Sequence, residues 1–437
     1  MDSKVAKFGG SSLSCAECFV RVREIISADS ERAYVVPSAP GKRGGDGEKI
    51  TDLLYQAQEN AGSEGFNDIF GRIEERFTGI VAELGLSLDI RPHLETVRKD
   101  ILYGLGPDYA ASRGEYLCGI ILAAYLGFSF VDAAEVVCFD EKGAFDAEET
   151  QKVMAARLQK DRPSVIPGFY GAMPDGSIKT FSRGGSDITG AIVSRAVQAS
   201  VYENWTDVPG FLVADPRIIP ESRVIDYITY KELRELSYMG ASVLHEDAIF
   251  PVRQEGIPIH VRNTNTPDRR GTMIVKELPQ GYESGTITGI AGRKGFTVIA
   301  IEKALMNAEV GFGRRVLWVL ERHGVSFEHM PTGIDTLSLV ISDSELNGRL
   351  DTVLEDLWGQ CNPDSIEAFS NMSIIATVGQ GMIRRVGIAA RLFTALANNA
   401  VNVRMIDQGS SEINIIVGVE NDDFEKAVRA IYHEFVE

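Results

Sequence analysis

A chain of 437 residues is longer than one hydrophobic core usually serves, so two or three domains are expected. With 44% apolar and 24% charged residues and no run approaching 18 uninterrupted apolar positions, the composition is that of a soluble globular protein and excludes a membrane-spanning helix. The net charge of −18, with no compensating basic patch, excludes nucleic acid and anionic membrane surfaces as expected partners.

Met1-Asp2-Ser3-Lys4 leads straight into a strand pattern without the basic, apolar and small-residue regions of a signal peptide, so a cytoplasmic location is expected. The five cysteines fit free thiols in a reducing compartment. Cys15 and Cys18 form a C-x-x-C, but no second such pair and no nearby His completes four ligands; two thiols three apart on a helix are expected. From Lys4 to about Gly281, strand-like runs alternate with helical patterns, which predicts an α/β sandwich with a mainly parallel sheet. Candidate strands are Val5–Phe8, Ala33–Pro37, Phe128–Asp132, Ser164–Pro167 and Pro258–Val261. Asn60–Arg98 reads as an appended helical subdomain, and a 3.6-residue rhythm predicts a helix over Ser186–Gln198.

Turn residues at Leu278–Gly285 mark a linker. Behind it one plan occurs twice: a strand (Phe296–Ile301; Met372–Val378), a helix (Arg314–His323; Ile388–Asn398) and a strand pair (Val325–Met330 with Thr336–Ile341; Val401–Ile406 with Glu412–Val417). Self-similarity at this length predicts duplicated ββ-plus-helix modules rather than a solenoid.

Two glycine pairs carry the chemistry. Lys7-Phe8-Gly9-Gly10-Ser11-Ser12 follows the first strand, where the glycines let backbone amides approach a bulky anion and the following helix start adds a favourable dipole. Phe181-Ser182-Arg183-Gly184-Gly185-Ser186-Asp187 opens a helix, which Ser186 can cap and in whose first turn Asp187 is favoured. Two such loops in one domain predict two anionic substrates, or two ends of one long substrate. The polar loop Glu203–Phe211, followed by Ala214-Asp215-Pro216-Arg217, suits either a surface turn or a nucleotide contact. A Walker P-loop and the protein-kinase motif set are absent, and Gly379-Gln380-Gly381 lacks the third glycine of a dinucleotide fingerprint.

Lys7–Ser12, Ser112-Arg113-Gly114-Glu115, Phe181–Asp187, Thr206-Asp207-Val208-Pro209-Gly210 with Asp215-Pro216-Arg217, and Ser237-Tyr238-Met239-Gly240-Ala241 occur together and in the order seen in aspartate kinases. The C-terminal modules resemble that family's paired ACT domains, so the resemblance covers nearly the whole chain. It implies a three-layer α/β/α kinase domain with a mainly parallel sheet over residues 1–281, then two ferredoxin-like α+β ACT domains over 286–362 and 370–437. The implied reaction takes the γ-phosphoryl group of ATP, with Mg²⁺, to the side-chain carboxylate of L-aspartate, a first step towards lysine, threonine and methionine.

By the same resemblance, Lys7 stabilises the transferring phosphoryl group and Asp187 orients it. Ser38, Thr51, Glu115, Arg183 and Ser186 hold aspartate, Arg183 as a fork for carboxylate and Glu115 for the ammonium. Gly9, Gly10, Ser11, Gly184, Gly185, Thr206, Asp207, Asp215 and Arg217 join Lys7 on the ATP side, with no metal cage of the protein's own. Gly41–Gly47 suits a lid or a mobile surface loop. A lysine of the family pattern is replaced by Ser242, which puts the nucleotide pocket in question, and His245 is read as structural. The effector pocket maps to Met306, Gly311, Phe312, Phe327 and Glu328; by strand alternation alone, Phe327 packs in the core and Glu328 is solvated. Lysine is the favoured effector and threonine the second, with Gln408, Ser410 and Glu412 at a homodimer or tetramer interface formed through the ACT modules. The rival readings are a kinase for glutamate or N-acetylglutamate and a catalytically weak amino-acid sensor.

Overall fold

The computed structural model describes residues 3–44, 47–160, 162–182, 184–241, 244 and 246–436, with backbone only for 246–249. The chain divides into two compact units. One comprises Met1–Phe211, Val224–Tyr230 and Val243–Gln280, the other Leu212–Arg223, Lys231–Ser242 and Gly281–Glu437.

The first unit is built on an eight-stranded sheet. Its strands are β1 (Lys4–Phe8), β2 (Arg32–Pro37), β3 (Ser129–Phe130), β4 (Ser164–Val165), β7 (Val201–Thr206), β8 (Tyr227–Thr229), β9 (Ile259–Asn263) and β10 (Thr272–Val275), in the order β3-β4-β2-β1-β7-β9-β10-β8. A separate hairpin holds β5 (Tyr170–Ala172) and β6 (Ile178–Thr180). All neighbours in the large sheet are parallel except β9 and β10. Central strands β1 and β2 are buried at every position but Lys4, because parallel strands are covered on both faces. The predicted α/β class is the observed one, although several predicted strands are shorter: the 128–132 and 164–167 runs each keep two paired residues.

Alternation along the strands decides what reaches each face. Ala6, Phe8 and Trp205 turn into a large core shared with the helices Ala16–Ser27, Ile50–Glu59, Phe66–Glu83, Arg91–Tyr103 and Pro107–Leu126. Phe8 stacks on Trp205 with ring centroids 6.0 Å apart. Residues 60–98 are therefore part of the main core and not an appendage, since Phe66, Phe70, Ile73 and Phe77 bury their apolar stripe in it. Lys7, Tyr202 and Asn204 turn to the opposite face, against the helix Gly185–Ala196. Tyr202 lies so close to Gly190 that a Cβ there would stand 2.6 Å from its ring.

In the second unit, β11 (Gly289–Glu302), β12 (Thr336–Ser342), β13 (Ser365–Val378), β14 (Met405–Asp407) and β15 (Asn414–Glu420) form one sheet in the order β12-β11-β13-β15-β14. Two consecutive modules over 286–362 and 370–437 do not describe it. β11 runs antiparallel to β13 along its whole length, so its first half (289–294) faces 373–378 and its second half faces 365–369. Ile287 and Ile290 accordingly belong to the core of the second module, with Leu392, Val417 and Ile431, whereas Ile299 and Ile301 belong to the first, with Val316, Leu339 and Leu357. The first module is thus inserted into the second, and Gly295, at φ +88°, lies at the switch between the two halves of β11. The predicted strand Val325–Met330 reduces to single bridges, and Val401–Ile406 shortens to β14. Among the described residues, no helix is long and apolar enough to cross a membrane.

Under the sheet of the first unit, Glu203 is buried and receives Arg32 Nε at 2.6 Å, Trp205 Nε1 at 2.9 Å and Arg262 Nη1 at 3.5 Å. Burial pushes its carboxyl up, but Arg32, then Trp205 and Arg262, more than offset this and hold it below the usual range. The stabilisation is present above the unfolded-state pKa and is lost as pH falls through the depressed folded value. Removing one partner of a buried pair strands the other charge, so Glu203→Gln is expected to lower the urea-unfolding free energy at pH 7 by about 3 kcal/mol or more. A change under about 1 kcal/mol would contradict this role.

Candidate active site

Lys7 is charged, yet it is buried in a strand between the apolar Ala6 and Phe8. It is tolerated because its Nζ lies 2.6 Å from Asp187 Oδ1, with the side chains 9% and 17% exposed. Asn204 Nδ2 donates to the same oxygen at 2.7 Å, and the Tyr202 hydroxyl donates to the Asp187 carbonyl at 3.1 Å. β1, β7 and the helix Gly185–Ala196 therefore meet at one carboxylate.

That carboxylate is in the first turn of a twelve-residue helix whose N-cap is Gly184, in the left-handed region at φ +59° and without a side-chain cap. Ser186 is not the cap; it sits inside the first turn and lines the cleft. Unclaimed amides at a helix start favour an anion. Gly185 is required for contact rather than conformation, since a Cβ there would stand 2.5 Å from the Phe169 ring. The cleft has a volume of about 240 Å³ and brings together Lys7, Ser38, Thr51, Glu115, Gly184, Gly185, Ser186 and Asp187 from the sequence expectation, together with Phe169.

Glu115 faces this cleft from the middle of the buried helix Pro107–Leu126. Its Oε2 is buried with no hydrogen-bond partner among the described residues. Burial pushes its carboxyl up to about 8, against weaker opposition from the Ala39 amide, its own amide and Arg113. Arg113 does not neutralise it directly: its guanidinium lies 4.6 Å from the Tyr109 and Tyr116 rings and 5.0 Å from that of Tyr170, and it donates to Ser112 Oγ. The helix can come this near because residue 114 is glycine; a Cβ there would be 2.7 Å from Ala39 Cβ.

The first glycine pair works differently from expectation. It leads into a single 3₁₀ turn, Gly10–Leu13, and the α-helix starts only at Ala16. The Gly9 amide bonds the Trp205 carbonyl at 3.1 Å, and a Cβ at Gly9 would lie 3.7 Å from Lys7 Nζ. Gly10 is needed because its backbone touches that of Ala39 and Gly41, whose amide it accepts at 2.8 Å. Ser11 is exposed beside them. Thr206 and Asp207 follow β7 at the same end of the sheet, where Asn263 Nδ2 donates to the Asp207 carbonyl at 2.9 Å. Asp215 and Arg217 belong to the second unit and bond one another at 2.6 Å. Arg183, Ser242 and His245 lie outside the described residues, as do Gly45 and Asp46 of the 41–47 loop.

Three residues escaped the sequence reading. Asn204 and Tyr202 act through strand alternation, which the sequence carries once β7 is paired beside β1. Phe169 holds φ +82°, unusual for a bulky residue, and no local signal marks it.

In the second unit, Met306 and Phe312 are buried in the first module's core and Gly311 caps the helix Phe312–Arg322 at φ +83°. The alternation reading is inverted beyond them: Phe327 is 38% exposed, while Glu328 is largely buried, takes Arg293 Nη2 at 3.1 Å and interacts with the Tyr238 hydroxyl, its Oε2 buried and within hydrogen-bond distance of none of the described residues. Glu412 is half-buried and accepts the Arg384 amide at 2.7 Å.

Ionised Glu115 is disfavoured in the folded protein, so wild type loses stability relative to Glu115→Gln as pH rises from about 4.5 through about 8. The relative gain of the variant between pH 5 and pH 8 is expected to be on the order of 4 kcal/mol at most, read from denaturant unfolding at the two pH values. A variant that gains nothing over this window would remove the buried, unsatisfied carboxyl from the account.

The amino acid kinase family profile matches residues 2–263 and an ACT domain profile matches residues 375–435. Aspartokinase 3 of Bacillus subtilis (strain 168) is 36% identical over an alignment that takes in 99% of this chain and 98% of that protein. Aspartokinase 1, chloroplastic, of Arabidopsis thaliana is 31% identical, over 99% of this chain and 80% of its own. Among solved structures, aspartate kinase from Clostridium acetobutylicum, described as an allosteric enzyme, superposes with a TM-score of 0.91 at 54% identity over 100% of both chains. E. coli aspartokinase III in complex with aspartate and ADP does so with a TM-score of 0.75 at 25% identity, again over 100% of both chains.

Proposed function

Since the chain belongs to the aspartokinases of the amino acid kinase family and is an ATP-dependent kinase, we propose that the cleft at Lys7 carries γ-phosphoryl transfer from ATP to the side-chain carboxylate of L-aspartate. One observation carries this reading: a paired but reachable ammonium at an uncapped helix start shares a cleft with a buried carboxyl that has a vacant oxygen.

The acceptor carboxylate is ionised at neutral pH, so it needs no general base. An oxygen of that carboxylate attacks the γ-phosphorus and the bond to ADP breaks, giving 4-phospho-L-aspartate. What opposes the step is repulsion between two anions, and catalysis is positioning with charge neutralisation. Lys7 supplies a cation where charge passes across, held by Asp187, which Asn204 fixes in turn. Amides at the start of the helix Gly185–Ala196 add donors for the phosphates, and the Ser38, Thr51 and Ser186 hydroxyls line the acceptor side. Glu115 gives up its proton as the aspartate ammonium arrives; its vacant oxygen is the matching partner. Arg183 would take the α-carboxylate. Mg²⁺ arriving with ATP would need few protein ligands and would supply further charge neutralisation.

On the regulatory side we propose that the first ACT module takes lysine, or threonine as the second choice, with Glu328 meeting the effector ammonium through its unpartnered oxygen. Exposed Ile383, Val386 and Ile406 on the second module suit a homodimer contact. Product aspartyl phosphate would feed lysine, threonine and methionine synthesis in the cytoplasm. A catalytically weak sensor is not favoured, because Lys7, Asp187 and Asn204 are engaged as a phosphoryl-transfer site requires.

Lys7→Met is expected to lower kcat by roughly 10²–10³ or more, measured as acyl phosphate trapped by hydroxylamine with aspartate and, as a control, with glutamate. Wild-type turnover in a folded Lys7→Met protein would end the assignment. For the effector, Glu328→Gln is expected to abolish most of the roughly 5–150-fold coupling typical of such systems, read as loss of lysine inhibition with aspartate turnover retained; inhibition undiminished in the variant would remove Glu328 from that site.

A further inference from the structure

We propose that Cys15 and Cys18 are a reversible thiol–disulfide couple that acts on the glycine loop Gly9–Ser12. Cys15 is the N-cap of the helix Ala16–Ser27 and Cys18 its third residue, the two positions at which an N-cap side chain folds back over the first turn. Their sulfurs lie 3.2 Å apart. Cys18 Sγ also meets Ser14 Oγ and Arg21 Nη2, each at 3.4 Å, and the Ser11 carbonyl at 3.7 Å. A second cation, Arg76 from the helix Phe66–Glu83, donates to the carbonyls of Ser14 (3.4 Å) and Gly41 (3.2 Å). A helix start and two arginines are the surroundings that stabilise a thiolate. Burial pushes the Cys18 thiol up, but bonds from Ser14, Cys15 and Arg21 more than offset it and hold it below the usual value. Cys118 and Cys361 are buried thiols that burial pushes up, and among the described residues no sulfur lies in contact with either.

Closing the couple requires an external oxidant, for which a small disulfide such as oxidised glutathione suffices. The half-exposed Cys15 is the accessible sulfur. Burial, then the contact with Cys18, pushes its thiol up, so it reacts after losing its proton: it attacks one sulfur of the oxidant, whose S–S bond breaks and expels a thiolate. Cys18, after losing its proton, attacks the mixed disulfide at Cys15 and expels the second thiolate. The protein loses two electrons and two protons, and the oxidant becomes two thiols. The sulfurs then move from 3.2 Å to about 2.05 Å, and Cys18 no longer donates to the Ser11 carbonyl. Because Ser11 lies in the loop read above as nucleotide-binding, this step rests on that reading, and oxidation is expected to weaken Mg·ATP binding.

The test equilibrates the full chain in glutathione redox buffers, quenches with an alkylating reagent and maps the protected cysteines by mass spectrometry. Mg·ATP affinity is measured in parallel by calorimetry. Cys15 and Cys18 are expected to become protected together, while Cys118 and Cys361 stay reduced. Cys15→Ser and Cys18→Ser should form no internal disulfide, and each should keep the nucleotide affinity of the reduced wild type. Fully oxidised wild type should bind Mg·ATP about fivefold or more weakly, with recovery on reduction. A pair that stays alkylatable across the redox series, or an oxidised chain with unchanged affinity, overturns the proposal. If reduced wild type binds no Mg·ATP, the nucleotide reading has failed instead, and the mapped disulfide still decides whether the couple exists.

Discussion

The ion pair between Lys7 and Asp187 is the constraint around which the first unit is arranged. An ammonium inside a buried parallel strand is tolerable only with a carboxylate in contact, and the junction of β1, β7 and the helix Gly185–Ala196 supplies one at 2.6 Å. Three positional conditions must hold together. β1 must place position 7 away from the Phe8–Trp205 face, β7 must present Asn204 and Tyr202 on the side of Lys7, and Gly190 must let the helix settle against Tyr202. Once they hold, the uncapped start of that helix falls beside the ammonium, and the fold has made an anion site from elements that also form its core.

Glu115 shows the opposite balance. Lys7 has its partner in Asp187, whereas Glu115 is buried with one oxygen bonded to none of the described residues, and burial pushes its carboxyl up to about 8. A buried acid without a cation weakens the fold. It is intelligible under the proposed function, in which a ligand ammonium completes it, because the desolvation that penalises an unpaired carboxylate also strengthens an ion pair made there. Arg113, on the same helix, stacks on the Tyr109, Tyr116 and Tyr170 rings and donates to Ser112, and only weakly opposes the effect of burial on Glu115.

Much of this was legible in the sequence, and for a definite reason. Lys7, Gly184, Gly185 and Asp187 sit at fixed offsets from a buried strand and from a helix start, so local pattern locates them. Glu115 was found through family resemblance, and its burial could not have been read from a helix that is apolar nearly all round. Phe169, Asn204 and Tyr202 were missed because their roles depend on which strand lies beside which. The same limit explains the ACT region. Periodicity found both modules, but β11 reads as one strand, and nothing local says that its two halves belong to different cores. The inversion of Phe327 and Glu328 has a similar cause: that segment is joined by single bridges rather than a regular ladder, so strict alternation does not hold.

The interleaving bears on how an effector can act. Two modules joined by a flexible linker could each change without informing the other. Here β11 and β13 are each fourteen residues long and serve both cores, so the two modules share continuous strands. Glu328 stands at this junction, because its partner Arg293 lies in the half of β11 that belongs to the second module. Within the second unit, Glu328 is tied through Arg293 to the strand shared by the two cores, so the proposed effector contact and that strand are one ion pair apart. From there the route to the first unit is covalent at five places, after Phe211, Arg223, Tyr230, Ser242 and Gln280, where the chain passes between the units. Two of those passages bound Val224–Tyr230, which carries β8 at the edge of the kinase sheet. A regulatory unit that owns the chain on each side of a strand can bias that strand, and physical continuity of this kind is what coupling between separated sites requires.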